Sequence, residues 1–183
     1  MDGSDGIPNS TFYLHLSMME RFFRLSKAEY FADFFITVPI TLASIVLSLA
    51  DFSALWVALF LAGLLTWTLY EYLIHRFVLH RLWPFRDVHN LHHHAQRDFI
   101  GTHPAITLTI YVVLWLSFGG GVSSAAMVGF SVGYVIYSTI HTLFHYTAMS
   151  GTLKRHHAIH HHFDNVNFGV STRFWDKIFR TEF

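Results

Sequence analysis

The fold is decided by residues 54–80, ALWVALFLAGLLTWTLYEYLIHRFVLH, in which a long apolar run ends in two histidines. No charged side chain occurs in this stretch before Glu71, and a helix needs about 20 residues to cross the ~30 Å hydrocarbon core of a bilayer. The run therefore predicts a membrane-spanning helix that carries His75 and His80 at its end. These two histidines lie about 140° apart on an ideal helix, so the helix must end or distort between them.

The composition of the whole chain agrees with a membrane protein. Of 183 residues, 52% are apolar and only 13% are charged, whereas a soluble domain has about 25% charged residues. The formal net charge is zero with neutral histidines, so nothing indicates a nucleic-acid partner. The chain has no cysteine, which excludes thiolate ligands, iron–sulfur clusters and disulfides.

Two apolar blocks, 31–74 and 105–144, are each long enough for two crossings, and each is interrupted near its middle by polar or glycine residues. They predict an all-α integral membrane protein whose four transmembrane helices form two hairpins, at about 31–50, 53–74, 105–118 and 123–144. All twelve Lys and Arg residues fall on one side of this topology, and the positive-inside rule makes that side cytoplasmic.

The segments outside the apolar blocks complete the predicted organisation. Residues 1–10 are polar and are predicted to be disordered, and residues 11–30 mix aromatic and charged side chains as an interfacial amphipathic helix does. The membrane domain then comprises residues 31–183. Within it, residues 75–104 and 145–183 are expected to form a cytosolic helical cap that holds a dinuclear metal site, with both termini cytoplasmic.

Histidine is the outlier of the composition, because the chain has 15 and all but His15 lie between residues 75 and 162. Neutral imidazole is the commonest metal ligand. Helical residues i, i+3 and i+4 share a face, so each HxxHH cluster is predicted to aim three imidazoles at a common point. Ten histidines fall into two pairs and two such clusters: His75 and His80; His89, His92 and His93; His141 and His145; His157, His160 and His161.

Ten histidines are too many for one ion, because a tetrahedral zinc takes four ligands and a hexacoordinate iron takes six. Two metals sharing the ten histidines is the natural count. His94, His156 and His162 leave the shared face and are predicted to lie outside the metal site. The chain lacks an HExxH motif, a serine nucleophile motif and a glycine-rich phosphate loop, which argues against a zinc protease of that type, a serine hydrolase and a nucleotide enzyme.

Three carboxylates are predicted to orient the metal-binding histidines, because a bound histidine usually donates its other N–H to a carboxylate or carbonyl. Glu71 is the strongest candidate, since it lies four residues before His75 on the same helical face. Asp87 and Asp164 flank the clusters. For each of the three, solvation at the interface or a surface ion pair is the alternative. No catalytic side chain is predicted beyond the metal centre.

The stretches HRFVLH, HNLHHH, HTLFH and RHHAIHHHF, followed by NFGVSTRFWDKIFRT, resemble the fatty acid hydroxylase and sterol desaturase superfamily. The resemblance covers residues 65–183, and the four-part histidine pattern is specific as a set. It implies a membrane fold with a cytosolic cap over two metal ions, the same ten histidines as ligands, and O2-dependent hydroxylation or desaturation of a fatty acyl or sterol-like lipid.

The resemblance also implies the cofactors and partners. Two iron ions are expected, with zinc a possible occupant of a purified or crystallised form, and O2 is the co-substrate. No b-type cytochrome sequence accompanies the motifs, so electrons are expected from a separate ferredoxin or from a b-type cytochrome with its reductase. A short chain of this kind is typical of bacterial members, which favours a bacterial inner membrane.

Other functions stay open at this stage. A carotenoid hydroxylase has a similar length and the same kind of histidine set, and desaturation is a further possibility. A His-rich metal transporter is a rival of another class, although transport sites usually lie near the membrane midplane on broken helices. In a purely structural alternative, zinc pins the cap to the membrane helices.

Overall fold

A computed structural model of the chain describes residues 23–183; the predicted disordered terminus (1–10) and most of the predicted interfacial helix (11–30) lie outside them. Within the described residues the regular structure is helical, as predicted, and no β-strand occurs. A π-helical segment, Ile74–Leu79, continues the second helix. The α-helices of residues 23–183 are α1 (Lys27–Ser48), α2 (Ala54–Leu73), α3 (Phe85–His94), α4 (Pro104–Phe118), α5 (Ser124–Tyr146), α6 (Thr152–His162) and α7 (Phe174–Ile178).

Among residues 23–183, three helical stretches are long and apolar enough to cross a membrane: Lys27–Asp51, Ala54–Leu79 and Gly121–Tyr146. The chain is therefore a multi-pass membrane protein. Helix α4 lies where the sequence predicted the span 105–118, but its 15 residues reach only about 22 Å at 1.5 Å per residue, less than the ~30 Å hydrocarbon core. A fourth crossing stays a prediction.

Helix α1 has a polar interior face and an apolar exterior. It begins at Lys27 because Ser26 and Glu29 form a capping box, in which each side chain accepts a hydrogen bond from the other's backbone N–H. Phe35 is 81% exposed, as a lipid-facing side chain is. The side chains that α1 buries are polar, an arrangement that in a membrane usually accompanies function; they are Asp33, Thr37, Thr41, Ser44 and Ser48.

Helices α2 and α5 cross with their backbones in close contact, and glycine makes this possible. A Cβ atom at Gly63 of α2 would lie 1.9 Å from the Ala126 carbonyl oxygen. A Cβ atom at Gly129 of α5 would lie 2.0 Å from the Phe60 carbonyl oxygen. Small residues allow this approach in membrane helix pairs, and the crossing fixes the relative position of the histidines at the ends of α2 and α5.

Candidate metal centre

The π-helical segment brings the two histidines of the first pair, His75 and His80, to the same face. In a π-helix the backbone hydrogen bonds run from residue i+5 to residue i, and the His80 N–H donates to the His75 carbonyl at 3.3 Å. Residues five apart thereby come to the same face, and the ring centroids of His75 and His80 lie 5.1 Å apart. The distortion that the spacing required is therefore present.

The ten clustered histidines form two groups of five, and the ligand atoms of each group lie within 4.8 Å of one another. We name each group after the helix that ends in it. The α2 site consists of His75, His80, His89, His93 and His160. The α5 site consists of His92, His141, His145, His157 and His161.

The prediction that each HxxHH cluster aims three imidazoles at one point is wrong. Each cluster divides its histidines between the two sites. On α3, His89 and His93 face the α2 site, whereas His92 faces the α5 site. On α6, His157 and His161 face the α5 site, and His160 faces the α2 site. Positions i and i+4 differ by about 40° around a helix, but i+3 and i+4 differ by about 100°, so the middle histidine turns toward the neighbouring site.

The two sites adjoin each other. The rings of His93 and His161 stack with centroids 4.4 Å apart, and the centroids of His92 and His93 lie 6.3 Å apart. Each HxxHH helix thus supplies ligands on both sides of a shared boundary. This arrangement is suited to a pair of ions rather than to two independent ones.

The distances within each site fit a bound metal ion. In the α2 site the Nε2 atoms of His75 and His89 lie 2.9 Å apart, and those of His80 and His160 lie 3.1 Å apart. In the α5 site the Nε2 atoms of His157 and His161 lie 3.0 Å apart. Two nitrogens bound at right angles to one ion at about 2.1 Å would lie about 3.0 Å apart.

The chemistry of the donor set fits as well. Both ring nitrogens of His92 are buried and have no hydrogen-bond partner among the described residues, which is rare for a buried polar group unless it has another ligand. Burial, together with a smaller effect of the nearby His145, lowers the pKa of His92 to about 3. Burial also lowers the pKa of His80 to about 4. These imidazoles are therefore neutral near pH 7 and offer the lone pair that a metal needs.

The chain returns to the α2 site at residues 166–171, which we call the closing loop. His75 donates its Nδ1–H to the Phe168 carbonyl oxygen, and His160 donates its Nδ1–H to the Val166 carbonyl oxygen at 2.8 Å. A carbonyl can only accept, so in both rings Nε2 is the deprotonated nitrogen and faces the site. Asn167, between the two carbonyls, has a φ of 57°, a left-handed conformation that asparagine tolerates.

Two buried carboxylates hold the closing loop. Glu71 accepts hydrogen bonds from the N–H groups of Val170 and Ser171, at 2.6 and 2.9 Å, and from the Ser171 hydroxyl. Asp176 accepts from the N–H groups of Phe168 and Gly169, each at 2.8 Å. Since both carboxylates bind backbone groups, they fix the path of the loop and thereby its two carbonyls.

Asp176 has two further partners. His156 donates to it at 3.0 Å, and the Thr181 hydroxyl donates at 2.7 Å. Burial alone would raise the pKa of Asp176, but hydrogen bonds from His156, Thr181 and the loop N–H groups outweigh it and lower the pKa. The carboxylate is therefore ionised and accepts all four bonds.

A cavity of about 350 Å³ reaches both sites, within the ~300–1,000 Å³ range of ligand pockets. His89 of the α2 site and His92 and His141 of the α5 site line one end. Asp33 and Tyr134 lie farther along, about two turns of α5 from His141. The apolar lining includes Phe34, Leu79, Val88 and Ile106.

The Asp33 carboxylate is only half satisfied. Its Oδ2 accepts from the Tyr134 hydroxyl at 2.8 Å, and Thr107 also interacts with the carboxylate. Its Oδ1 is buried and has no partner at hydrogen-bond distance among the described residues. An acceptor in an otherwise largely apolar cavity is therefore available to a ligand.

The comparison with known families adds an independent finding. The sequence pattern of the fatty acid hydroxylase family matches residues 60–181. This chain belongs to the fatty acid hydroxylase family. The matched residues include all ten clustered histidines, the closing loop, Glu71 and Asp176, but not Asp33 on α1.

Individual relatives support the family assignment. The chain is 33% identical over 149 residues to a fatty acid 2-hydroxylase of Rattus norvegicus. It is 30% identical over 147 residues to the ceramide very long chain fatty acid hydroxylase scs7 of Schizosaccharomyces pombe. The alignments cover 70% and 69% of this chain, but the chain spans only 40% and 42% of those relatives.

A solved structure shares the fold. Full-length scs7p, in which only the hydroxylase domain is visible, matches with a TM-score of 0.72 at 24% identity. The match covers 90% of this chain and 69% of that one. The chain thus has the helical fold of that hydroxylase domain.

Three carboxylates were predicted to orient the metal-binding histidines of this fatty acid hydroxylase family member. None of them binds the clustered histidines directly. Asp87 accepts from Arg86 at 2.8 Å, and Asp164 is exposed and acts on His93 only through its charge, which raises the His93 pKa against a larger lowering by burial. Glu71 binds the closing loop instead. The prediction that these carboxylates contact the clustered histidines is therefore wrong for all three. At His75 the Phe168 carbonyl takes that place.

The histidines predicted to lie off the shared face belong to neither site within the described chain; of these, His156 pairs with Asp176. Sequence reasoning missed the carbonyls of Val166 and Phe168 and the role of Asp176. The only signal for them was the NFGV and FWD sequence of the closing segment, since a backbone carbonyl leaves no side-chain pattern.

Proposed function

We propose that this member of the fatty acid hydroxylase family hydroxylates the fatty acyl chain of a membrane lipid, using O2 and electrons from a separate donor. The observation that carries the proposal is the cavity end formed by His89, His92 and His141, because a chain lying there meets ligands of both metal sites. The relatives named as fatty acid 2-hydroxylase and ceramide fatty acid hydroxylase support an acyl substrate. We propose attack at the carbon next to the acyl carbonyl.

The α2 and α5 sites are suited to hold two iron ions, which when bound supply the activation of O2 and the oxidation of an unactivated C–H bond. Zinc would also fit imidazole ligands. The chain's own contribution is to keep the imidazoles neutral and oriented. At the α2 site, His160 is completely buried and His75 is 5% exposed, whereas His80, His89 and His93 are half-buried.

The cavity is proposed to recognise the lipid substrate. Its apolar side chains would pack against the acyl chain, and the free Oδ1 of Asp33 would accept a hydrogen bond from a hydroxyl or amide N–H of the lipid. An ionised fatty acid carboxylate can only accept hydrogen bonds, so it has no donor to offer that oxygen. The proposed substrate is thus a neutral lipid that carries hydrogen-bond donors near the acyl carbon that is hydroxylated.

The surroundings of the protein follow from its topology. We propose that both metal sites and both termini face the cytoplasm, since all Lys and Arg residues flank the predicted spans on that side. The electron donor is proposed to be a ferredoxin or a b-type cytochrome with its reductase. Placement in a bacterial inner membrane stays a prediction. The relatives do not favour the carotenoid hydroxylase or the metal transporter.

The test is expression in a host without this activity, grown under 18O2, followed by mass spectrometry of the membrane lipids. The wild-type chain is expected to add one labelled oxygen to an acyl chain. His161→Ala is expected to abolish the label, and His162→Ala, one residue away but outside both sites, is expected to retain it. Unlabelled lipids from cells containing metal-loaded wild-type protein would contradict the proposal, and labelled pigments would restore the carotenoid alternative.

Substrate recognition is tested separately by comparing N-palmitoyl sphinganine with palmitic acid. Leaving a buried hydrogen-bonding group without its partner costs about 1–3 kcal/mol, which corresponds to about fivefold or more in relative binding. The double variant Asp33→Leu with Tyr134→Phe removes both partners, and we expect the preference for the neutral lipid to fall about tenfold. Asp51→Leu, at the exposed tip of the first hairpin, is the control. An unchanged preference in the double variant would exclude Asp33.

A further inference from the structure

The hydrogen bonds around the two metal sites are distributed unequally. In the α2 site, His75 and His160 each donate Nδ1–H to a carbonyl of the closing loop. In the α5 site, the Nδ1 atoms of His92, His157 and His161 are buried and have no hydrogen-bond partner among the described residues. The closing loop thus supports the ligands of one site only.

Such outer hydrogen bonds have a known effect on metal affinity. They fix the tautomer and the ring orientation, and they raise the basicity of the nitrogen that binds the metal; removing them typically lowers affinity 10- to 100-fold. An imidazole without them must select its tautomer and orientation when the metal arrives. The two sites are therefore expected to differ in affinity even though both contain five histidines.

Glu71 connects α2 to this difference. It lies one helical turn before His75 and is 5% exposed, yet its oxygens bind Val170 and Ser171 of the closing loop rather than a histidine. Val170 is two residues from Phe168, whose carbonyl accepts from His75. Glu71 thus fixes the loop carbonyl in register with the histidine on its own helix.

We infer that the two metal sites are inequivalent: the α2 site, supported by the closing loop, binds its ion first and more tightly, and Glu71 is the positioning residue that sets this difference. The inference rests on the metal-binding part of the proposed function. It applies to affinity and order of loading, so it does not depend on which lipid is oxidised.

The test is a titration of the purified, metal-free full chain in lipid nanodiscs with Co²⁺. Absorption of the bound ion follows each step, competition with a chelator gives the affinities, and elemental analysis gives the final stoichiometry. The wild-type chain is expected to bind two ions in two steps whose dissociation constants differ by about tenfold or more. Glu71→Ala is expected to weaken the first step 10- to 100-fold and to leave the second step unchanged.

Two further variants separate positioning from general destabilisation. Glu71→Gln keeps an oxygen that can accept from the loop N–H groups, so we expect it to restore most of the first-step affinity. Glu182→Gln removes a carboxylate from the same carboxy-terminal segment, where it pairs with Arg173, and is expected to change neither step. A merely structural role of Glu71 would weaken both steps together.

Specific results would overturn the inference. Binding of both ions to the wild-type chain in one step would do so without any variant, even where Glu71→Ala fails to fold. Equal weakening of both steps in a folded Glu71→Ala protein would also refute it. Lipid hydroxylation with one-step binding would leave the proposed function intact, whereas two-step binding without any hydroxylated lipid would refute the proposed function alone.

Discussion

Asp176→Ala is the substitution whose consequence can be worked out most fully. Asp176 is completely buried and accepts from two backbone N–H groups of the closing loop, those of Phe168 and Gly169. Alanine leaves both donors buried without a partner, and each such loss costs about 1–3 kcal/mol. The expected loss of stability is therefore about 2–6 kcal/mol. At about 2–4 °C per kcal/mol for a chain of this length, Tm falls on the order of 10 °C.

The assay is thermal unfolding of the purified protein in detergent, followed by tryptophan fluorescence. Asp87→Ala is the matched control, because Asp87 is partly exposed and pairs with the exposed Arg86, and exposed ion pairs contribute about 0–1 kcal/mol. A Tm of the Asp176→Ala protein within about 2 °C of wild type would refute the role assigned to these hydrogen bonds.

A second prediction concerns how the Tm difference between wild type and Asp176→Ala varies with pH. The pKa of Asp176 is lowered in the folded chain, whereas an unfolded aspartate has a pKa of about 3.9. The stabilisation by the ionised form is therefore complete above about pH 4 and is lost as the pH falls through the lower, folded pKa. The Tm difference between wild type and Asp176→Ala is expected to persist from pH 8 down to about pH 5. A difference that shrinks over that range would show that the carboxylate is not held ionised.

Three other substitutions test the fold and the metal centre. Gly129→Ala would place a Cβ atom 2.0 Å from a carbonyl oxygen of α2 and is expected to lower the yield of monodisperse protein strongly, whereas Gly120→Ala meets no atom within 4 Å and should leave the yield unchanged. His92→Ala is expected to lower the bound metal measured by elemental analysis toward one ion per chain, and His94→Ala, which lies outside both sites, should not. Ser26→Ala removes the capping box of α1, and its expected cost of about 1 kcal/mol should appear as a Tm decrease of a few degrees.

The parts of the fold and the site that could be predicted are those that a periodic pattern specifies. The apolar run before Glu71 predicted a spanning helix, and Ala54–Leu79 has the required length and hydropathy. The spacing of His75 and His80 required a distortion, and a π-helix supplies it. The spacing did place three pairs in common sites, since i and i+4 positions converge on any helix: His89 with His93, His141 with His145 and His157 with His161.

The division of the histidines between the two sites depends on tertiary placement, and spacing alone did not reveal it. The sequence HxxHH is compatible with three ligands on one ion or with two ligands on one ion and one on its neighbour. The choice depends on where the helix lies, and α3 and α6 each lie across the boundary between the two sites, so that His92 and His160 face the opposite site from their neighbours. A single helix can therefore hold both ions at a fixed separation, which two independent three-histidine clusters could not do.

The contacts that orient the metal-binding histidines could not be predicted from the sequence, for a different reason. Glu71 was predicted to accept from His75 because it lies one turn away on the same helix. Side chains at i and i+4 do meet, but the Glu71 carboxylate is occupied by the backbone of Val170 and Ser171, about 100 residues later in the chain. A neutral carbonyl then accepts from His75 in place of a charged carboxylate. Glu71 therefore acts on His75 through the backbone of the closing loop, without a direct contact between its carboxyl group and the imidazole.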